Sequence, residues 1–224
     1  MKKLLLVICM FSMGSLGWAQ SAPPLGSAQG FAVLGASTVT NTGPTVITGD
    51  LGVSPGTAVT GFPPGSVTGG TIHAGDATAV SAQAAAHTAY AALAAEPCGT
   101  NLTGKTLGTS PGAVTLSPGV YCFNTSAQLT GTLTLSGSGV FVFKMGSTLT
   151  TASNSSIVLA GGARAGNVFW QVGSSATLGT NTTFEGSILA HISDTVTAGV
   201  SVAGRVFALT GAVTLSGNRI RASK

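Results

Sequence analysis

Short apolar runs recur along the second half of the chain, and each is followed by a segment in which one apolar residue stands between polar ones. The runs are residues 120–123, 140–143, 168–170, 188–190 and 206–209, and their starts lie 20, 28, 20 and 18 residues apart. Repeats of this length that contain no helix predict the stacked coils of a β-solenoid. An immunoglobulin-like sandwich would also contain many short strands, but it would not keep the same two-strand unit in phase.

One segment departs from this pattern and predicts a helix. Residues 76–95 contain neither Gly nor Pro and are rich in Ala. Asp76 is a favourable N-cap, and Pro97 and Gly99 end the helix. Its apolar stripe is formed by Ala82, Ala86, Ala89, Tyr90 and Leu93. A helix of about 20 residues is about 30 Å long and would run beside roughly six coils that are about 4.8 Å apart. The predicted fold is therefore dominated by β-structure, with about six coils and one long helix along their side.

The segments that follow the apolar runs predict an outward face rich in threonine. Successive strand residues point to opposite faces, so the central residues Leu129, Leu149, Leu178, Val196 and Val213 are expected to point inward. Their outward neighbours are Gln128, Thr130, Thr148, Thr150, Thr177, Gly179, Thr195, Thr197, Ala212 and Thr214. The N-terminal part adds Thr38 and Thr40 around Val39, and Ala58 and Thr60 around Val59. Stacked coils would arrange these residues in two ranks without a charged side chain.

The geometry of such a face predicts that it binds ice. Thr is stiff at χ1, so its methyl and hydroxyl groups are held in place. The ranks would be about 4.8 Å apart along the solenoid axis and about 6.6–7 Å apart across a strand, which is near the spacing of oxygens on ice planes. Thr is favoured on any exposed strand, but the absence of Lys, Glu and Asp from the face favours ice as its partner. The predicted ice-binding residues are Thr38, Thr40, Thr60, Thr130, Thr148, Thr150, Thr177, Thr195, Thr197 and Thr214.

Charge and composition limit the classes of protein and of partner that fit this sequence. Charged residues make up 6% of the chain, against roughly 25% in an average soluble protein, whereas hydrophobic residues reach 44% and can fill a core. The formal net charge of +4 falls to +2 without Lys2 and Lys3. The arginines are scattered and form no stripe for phosphates, so nucleic acid is not an expected partner.

The chemistry of an enzyme is not expected from these residues. The five acidic residues form no convincing catalytic pair, and His73, His87 and His191 lack the spacing of a metal site. A serine nucleophile elbow and a phosphate-binding loop are both missing from the sequence. Solenoid polysaccharide lyases need clustered acids or bases in a groove, whereas Asp50 and Asp194 are predicted to cap turns. We therefore expect no catalytic residue, no cofactor and no metal.

The N-terminus and the cysteines predict an exported protein. Lys2 and Lys3 precede an apolar stretch and small residues at 17–19, so residues 1–19 are predicted to be a signal peptide cleaved after Ala19, with Ala22 as the next candidate. We expect secretion to the extracellular space, with the periplasm as the alternative, and no membrane-spanning segment. Residues 20–28 would form a leader and residues 29–224 a single domain. Cys98 and Cys122 predict one disulfide, the alternative being two buried thiols.

Several phrases of the sequence resemble the microbial ice-binding (antifreeze) protein family. They are TGDLGVSPG at 48–56, VTGF at 59–62, PGVY at 118–121, VFWQVGSSATLG at 168–179 and GRVFAL at 204–209. The resemblance covers nearly all of residues 25–220. It implies a discontinuous right-handed β-solenoid of roughly triangular section, with the N-terminal coils inserted out of sequence order and a long helix along one side.

The same resemblance implies a function. Members of this family bind ice, cause thermal hysteresis and inhibit ice recrystallisation, and the partner expected for this chain is an ice crystal surface met by a monomer. Some members carry a T-A/G-x-T/N motif on the active face, which here matches only residues 151–154 at a plausible place. The alternative function is a secreted surface-binding or matrix-binding solenoid without ice affinity.

Overall fold

The computed structural model describes residues 21–109 and 111–223, so the predicted signal peptide lies outside the described residues. The first strands are β1 (Phe31–Gly35), β2 (Thr38–Thr42), β3 (Val46–Thr48), β4 (Asp50–Val53), β5 (Ala58–Thr60), β6 (Ser66–Thr68) and β7 (Ile72–Ala74), followed by the helix α1 (Ala77–Ala95). The next are β8 (Thr100–Asn101), β9 (Thr115–Leu116), β10 (Gly119–Phe123), β11 (Ala127–Leu129), β12 (Thr132–Ser136), β13 (Phe141–Met145), β14 (Leu149–Thr151) and β15 (Ser156–Ala160). The last are β16 (Val168–Val172), β17 (Ala176–Leu178), β18 (Thr183–Ala190), β19 (Asp194–Val196), β20 (Ser201–Ala208), β21 (Val213–Ser216) and β22 (Arg219–Arg221). Short 3₁₀ helices occupy Gly26–Ala28 and Ala165–Asn167.

These strands pair in parallel and wind into a three-sided solenoid. The helix side contains β8, β10, β13, β16, the C-terminal parts of β18 and β20, then β1, β4 and β7. The threonine side is a seven-stranded sheet in the order β11, β14, β17, β19, β21, β2 and β5. The third side contains β9, β12, β15, the N-terminal parts of β18 and β20, then β22, β3 and β6. The repeat in the sequence showed two strands in each coil, and the structure adds the strand of the third side.

Two long strands turn the corner between the third side and the helix side without a loop. β18 and β20 bend at Gly186 and Gly204, whose φ angles are 107° and 157°. A Cβ atom on Gly204 would lie 1.8 Å from the carbonyl oxygen of Gly186, so a larger residue would force the two coils apart. Glycine is thus required where the backbones of successive coils meet at this corner.

The coils do not stack in sequence order. β2 pairs with β21 and with β5, β1 pairs with β20, and β22 pairs with β3. The N-terminal coils therefore continue the stack beyond the C-terminal one, which confirms the discontinuous right-handed β-solenoid. The threonine side contains seven strands, one more than the six coils estimated from helix length.

Inward side chains fill the solenoid with a continuous apolar core. Tyr121, Phe143 and Trp170 occupy neighbouring coils in register. The Phe143 and Trp170 rings stack with centroids 3.9 Å apart, and Phe184 lies 5.1 Å from Trp170. The Trp170 indole nitrogen donates a hydrogen bond to the carbonyl oxygen of Glu185 at 3.0 Å, so this aromatic column leaves no buried indole donor unpaired.

The helix covers the outer surface of the helix side. The Asp76 carboxylate accepts a hydrogen bond from the Ala79 amide at 2.8 Å, as expected of an N-cap. The buried helix residues are Ala79, Ala82, Gln83, Ala86, Ala89 and Leu93. Four of them, Ala82, Ala86, Ala89 and Leu93, belong to one apolar cluster with Val142, Phe169, Leu189 and Phe207 among others. The predicted helix and its stripe are confirmed, and Tyr90, which is half-buried, packs against the same apolar cluster. Gln83 was not foreseen, and its amide donates to the carbonyl oxygens of Ala208 and Leu209.

A disulfide and a buried arginine make further contacts between distant segments of the described chain. The predicted disulfide between Cys98 and Cys122 is present and joins the segment after α1 to β10. The buried Arg205 guanidinium donates to the carbonyl oxygens of Gln29 and Ser223, each at 2.7 Å.

Over the described ranges, no helix has both the length and the apolar character needed to cross a membrane.

Candidate functional site

One row of outward-pointing residues runs straight across the seven strands of the threonine side. The register of the strands places Gln128, Thr150, Thr177, Thr195, Thr214, Thr40 and Thr60 beside one another in that order. We call this row the central rank. Its members are exposed, except Thr40, which is half-buried. Because neighbouring strands are about 4.8 Å apart, the central rank extends over about 29 Å.

Shorter rows flank the central rank on both sides, two residues away along each strand. Thr148 and Thr38 stand on the side where the strands begin, and Thr130 and Thr197 stand where they end. All ten predicted residues therefore lie on the threonine side. The flanking rows contain further small hydroxyl residues that the sequence analysis did not name, which are Ser126, Ser175, Ser193, Thr42 and Ser216. The sequence feature that identifies these residues is their position two residues before or after a member of the central rank.

The register of the coils differs from the expected one. Two ranks of outward residues would require Leu129 to align with Leu149, but Leu149 pairs with Ala127 and Leu129 pairs with Thr151. A shift of two residues keeps every side chain on its predicted face, so alternation by itself does not exclude it. Because of this shift, threonines that were expected in two separate rows lie together in one row, the central rank.

Thr151, the first residue of the T-A/G-x-T/N match, points into the protein. It is 3% exposed, and its hydroxyl bonds to the Thr182 hydroxyl at 2.9 Å and accepts from the Gly179 amide at 2.8 Å. It therefore holds the corner between the threonine side and the third side and does not belong to the outward surface. Thr150, one residue earlier, takes the outward position.

Asp194 does not cap a turn. It lies on β19 beside Thr195, points inward and is 1% exposed. Both carboxyl oxygens lie buried without a hydrogen-bond partner among the described residues. Burial raises the pKa of this carboxyl well above its usual value of 3.8, because the charged form is strongly disfavoured where water is excluded. The raised pKa favours the neutral form of the carboxyl, and because Asp194 points inward it places no charge on the outer surface of the threonine side.

The other two sides present different surfaces to solvent. The outer surface of the helix side is covered by α1. The third side places Thr132, Ser156, Thr183 and Ser201 in one row, but the row continues into the exposed Arg219. Beside it lie the exposed Arg221 and the half-buried Glu185. Within the described strands, the threonine side alone combines an uncovered surface with an absence of outward charges.

The local chemistry of the threonine side suits a rigid array. The threonines of the central rank stand over an inner layer of apolar residues, including Leu149, Leu178, Val196, Val213 and Val39. In the flanking rows the Thr148 hydroxyl donates to the Ser126 hydroxyl at 2.8 Å, and the Thr197 hydroxyl donates to the carbonyl oxygen of Leu178 at 2.7 Å. The threonine hydroxyls of the central rank make one hydrogen bond to another described side chain, the long 3.5 Å contact from Thr40 to Thr214. These hydroxyls are thus available to water, while the parallel ladder fixes the positions of the backbones that carry them.

Sequence comparison shows that the chain is similar to proteins described as ice-binding. A profile of the family described as Ice-binding-like matches residues 33–221. An ice-binding protein of Nostoc sp. (strain HG1) is 52% identical over 222 residues, which is 97% of this chain and 80% of the relative. An ice-binding protein of Flavobacterium frigoris (strain PS1) is 34% identical over 88% of this chain and 75% of its own.

Solved structures of ice-binding proteins share the fold of this chain. The chain superposes on an ice-binding protein from an Antarctic biological consortium with a TM-score of 0.87 and 41% identity, over 96% of this chain and 97% of the other. It superposes on an ice-binding protein of the Antarctic ascomycete Antarctomyces psychrotrophicus with a TM-score of 0.84 and 38% identity, over 91% of this chain and all of the other.

Proposed function

Since the chain belongs to the Ice-binding-like family, we propose that it adsorbs to ice through the threonine side, with the central rank as the main contact. The observation that carries this proposal is the unbroken row from Thr150 to Thr60, in which six successive strands each present a threonine and none presents a charge. Adsorption through this surface would give thermal hysteresis and inhibit ice recrystallisation.

The physical basis is the ordering of water by a fixed pattern of small groups. Each threonine holds a methyl group and a hydroxyl group in one rotameric position. Water around the methyl groups is restricted in orientation, while the hydroxyls bond to water and hold it in register. A single such contact is weak, but a rigid array presents many of them to one crystal plane together. A charged side chain would instead organise its own hydration shell and disturb that pattern.

We further propose that the protein acts outside the cell as a monomer. The predicted signal peptide of residues 1–19 supports export, and a Cys98–Cys122 disulfide suits an oxidising compartment. A monomer suffices because the central rank is complete within one chain. Sedimentation of the purified mature protein would test the oligomeric state.

Substitution in the middle of the central rank tests the proposed surface. Thr195→Tyr would place a bulky ring between Thr177 and Thr214 and lift its neighbours off a flat lattice. We expect this variant to lose most of its thermal hysteresis and of its partition into growing ice. Folding should hardly change, because exposed substitutions usually alter stability by no more than about 0.5 kcal/mol.

Thr183→Tyr is the matched control, because Thr183 is an exposed strand residue on the third side. It should keep the activity of the unmodified protein. Retention of activity by the folded Thr195→Tyr variant, with loss in Thr183→Tyr, would place the ice contact on the third side. A mature protein without any partition into ice would overturn the proposal in favour of a matrix-binding module.

A further inference from the structure

A chain of hydrogen bonds outside the threonine side links a hydroxyl, an imidazole and a carboxylate. The Thr71 hydroxyl oxygen lies 2.8 Å from Nε2 of His73, and Nδ1 of His73 lies 2.7 Å from Oδ2 of Asp76. Thr71 and Asp76 are exposed and His73 is half-buried, so solvent reaches the group. This is the arrangement of a nucleophile, a base and the residue that orients the base.

The tautomer of His73 follows from its partners. The Asp76 carboxylate can only accept a hydrogen bond when ionised, so Nδ1 of a neutral His73 carries the proton. Nε2 is then an acceptor, and the Thr71 hydroxyl donates to it. The pKa of Asp76 is lowered, first by the hydrogen bond from the Ala79 amide and then by His73. The helix N-terminus thereby keeps the orienting residue ionised.

Each member of this triad is held in place by a second contact. Asp50 accepts a hydrogen bond from the Thr71 amide at 2.9 Å, and the Leu51 amide donates to the Thr71 carbonyl oxygen at 3.0 Å. The His73 ring packs against Phe31 with centroids 5.4 Å apart. Asp76 is fixed as the N-cap of α1. Such support preorganises the three groups and does not depend on a bound ligand.

The surroundings leave room for a small reactant. β7 pairs with β4 alone among the described strands. Leu51, opposite Ile72, donates to the Thr71 carbonyl oxygen, and alternation in a parallel ladder turns the Ile72 amide away from β4. The amide that follows a nucleophile is a common donor to the oxyanion of an acyl transfer. Thr71, Ile72, Ala74 and Gly75 are exposed, so the outer edge of β7 is open to solvent and to a small reactant.

We propose that Thr71 is a nucleophile that accepts acyl groups from small neutral esters, with His73 as general base and Asp76 as the residue that positions His73. Neutral esters are favoured because Asp76 and Asp50 give this region two carboxylates, and the nearer oxygen of Asp50 lies 4.0 Å from Nε2 of His73. Thr71 immediately precedes β7 and His73 lies within it, and a spacing of two residues in extended chain places both side chains on the same face. The spacing of the three histidines alone does not reveal this relationship.

The acyl transfer has two balanced steps. First, His73 takes the proton of the Thr71 hydroxyl while the oxygen attacks the ester carbonyl carbon. The bond to the alcohol then breaks, and the departing oxygen receives the proton from His73. Second, a water molecule gives a proton to His73 and adds to the acyl carbon. The bond between the acyl group and Thr71 then breaks, the Thr71 oxygen recovers the proton, and the carboxylic acid leaves.

Hydrolysis of p-nitrophenyl acetate by the full chain, with intact-mass analysis of the quenched protein, tests the proposal. We expect release of p-nitrophenol and an acetyl group that peptide mapping locates on Thr71. Thr71→Ala should lower the rate by roughly tenfold or more, and His73→Ala should lower it similarly, since a positioned base contributes at least that factor. Thr71→Ser should retain activity, and Asp76→Asn should lower the rate without removing the nucleophile.

His191→Ala is the control, because His191 is an exposed histidine that packs beside Tyr90 and lies outside the triad. It reports the background reaction of a surface imidazole and should leave the rate unchanged. Equal rates in the Thr71→Ala variant and the unmodified protein, or acetylation only at lysines, would overturn the proposal. Melting curves separate a loss of reactivity from a loss of folding, because Thr71→Ala and Thr71→Ser change an exposed side chain.

Discussion

Asp194 and Thr195 are adjacent on β19 and point in opposite directions. The Asp194 side chain is buried in the core, whereas the Thr195 side chain is exposed in the central rank. Asp194 is 1% exposed and unpaired among the described residues, and its inward neighbours in the adjoining coils are Ala176 and Val213. Thr195 lies between Thr177 and Thr214 on the outer surface. A buried ionisable group therefore lies directly beneath the surface that we propose to contact ice.

This position makes stability depend on pH. The pKa of Asp194 is raised in the folded protein by burial, so the unfolded chain ionises first. The contribution of Asp194 to stability is then fully present below about pH 3.9, the value in an unfolded chain, and is lost as pH rises toward the folded pKa. The loss is about 1.4 kcal/mol for each pH unit in which the unfolded carboxyl is ionised and the folded one is not.

Denaturant unfolding of the unmodified protein and of Asp194→Asn between pH 4 and pH 8 measures this effect. Because asparagine does not titrate, the difference in free energy of unfolding between the two proteins should shift in favour of the variant as pH rises. Other groups, such as Asp76, contribute equally to both curves and cancel in the difference. Parallel curves would show that Asp194 finds a partner or solvent in the folded protein.

The two groups of the threonine side chain make separable contributions to ice binding. Thr195→Val keeps the branched shape and a methyl array but removes the hydroxyl, whereas Thr195→Ser keeps the hydroxyl but loses the methyl group and the restriction at χ1. We expect the serine variant to lose more thermal hysteresis, because it loosens the array and removes the group that orders water without bonding to it. A larger loss in the valine variant would assign the dominant role to the hydroxyl.

The fit of α1 against the helix side depends on its alanines. Ala86 is fully buried against the apolar layer of that side, so Ala86→Arg combines overpacking with the burial of a charge. We expect the free energy of unfolding to fall by about 3 kcal/mol or more. Ala84, two residues earlier, is exposed, and Ala84→Arg should leave the melting temperature nearly unchanged. Equal melting curves for the two variants would place the Ala86 stripe in solvent.

The disulfide between Cys98 and Cys122 should stabilise the end of the stack nearest the C-terminus of α1. It closes a loop with a sequence separation of 24, and a loop of this size is worth about 3–4 kcal/mol in the chain-entropy model. Replacing both cysteines by serine should lower the free energy of unfolding by about that amount in chemical denaturation. Alkylation of both thiols in the unreduced, secreted protein would instead show that the bond does not form.

Local residue patterns were enough to predict two of the three strands in each coil, the position of the helix and the outward side chains of the threonine side. These properties depend on neighbouring residues. Alternation with a period of two assigns Thr150 and Leu149 to opposite faces. The N-cap Asp76 defines the start of α1, and Pro97 and Gly99 define its end. The absence of charge from the threonine side could likewise be read from the strands one at a time.

The alignment of the coils and the order in which they stack depend on contacts between segments that are distant in the sequence. A slip of two residues preserves the face of every side chain, so the pairing of Leu149 with Ala127 and Ala176 was set by the packing of whole coils and by the corner contacts of residues such as Thr151 and Thr182. The pairing of β21 with β2 joins residues more than 170 positions apart, and a local pattern contains no information on such a contact. Asp194 shows the same limit, because a lone acidic residue before a strand is typical of a turn, and only the surrounding coils enclose it in the core.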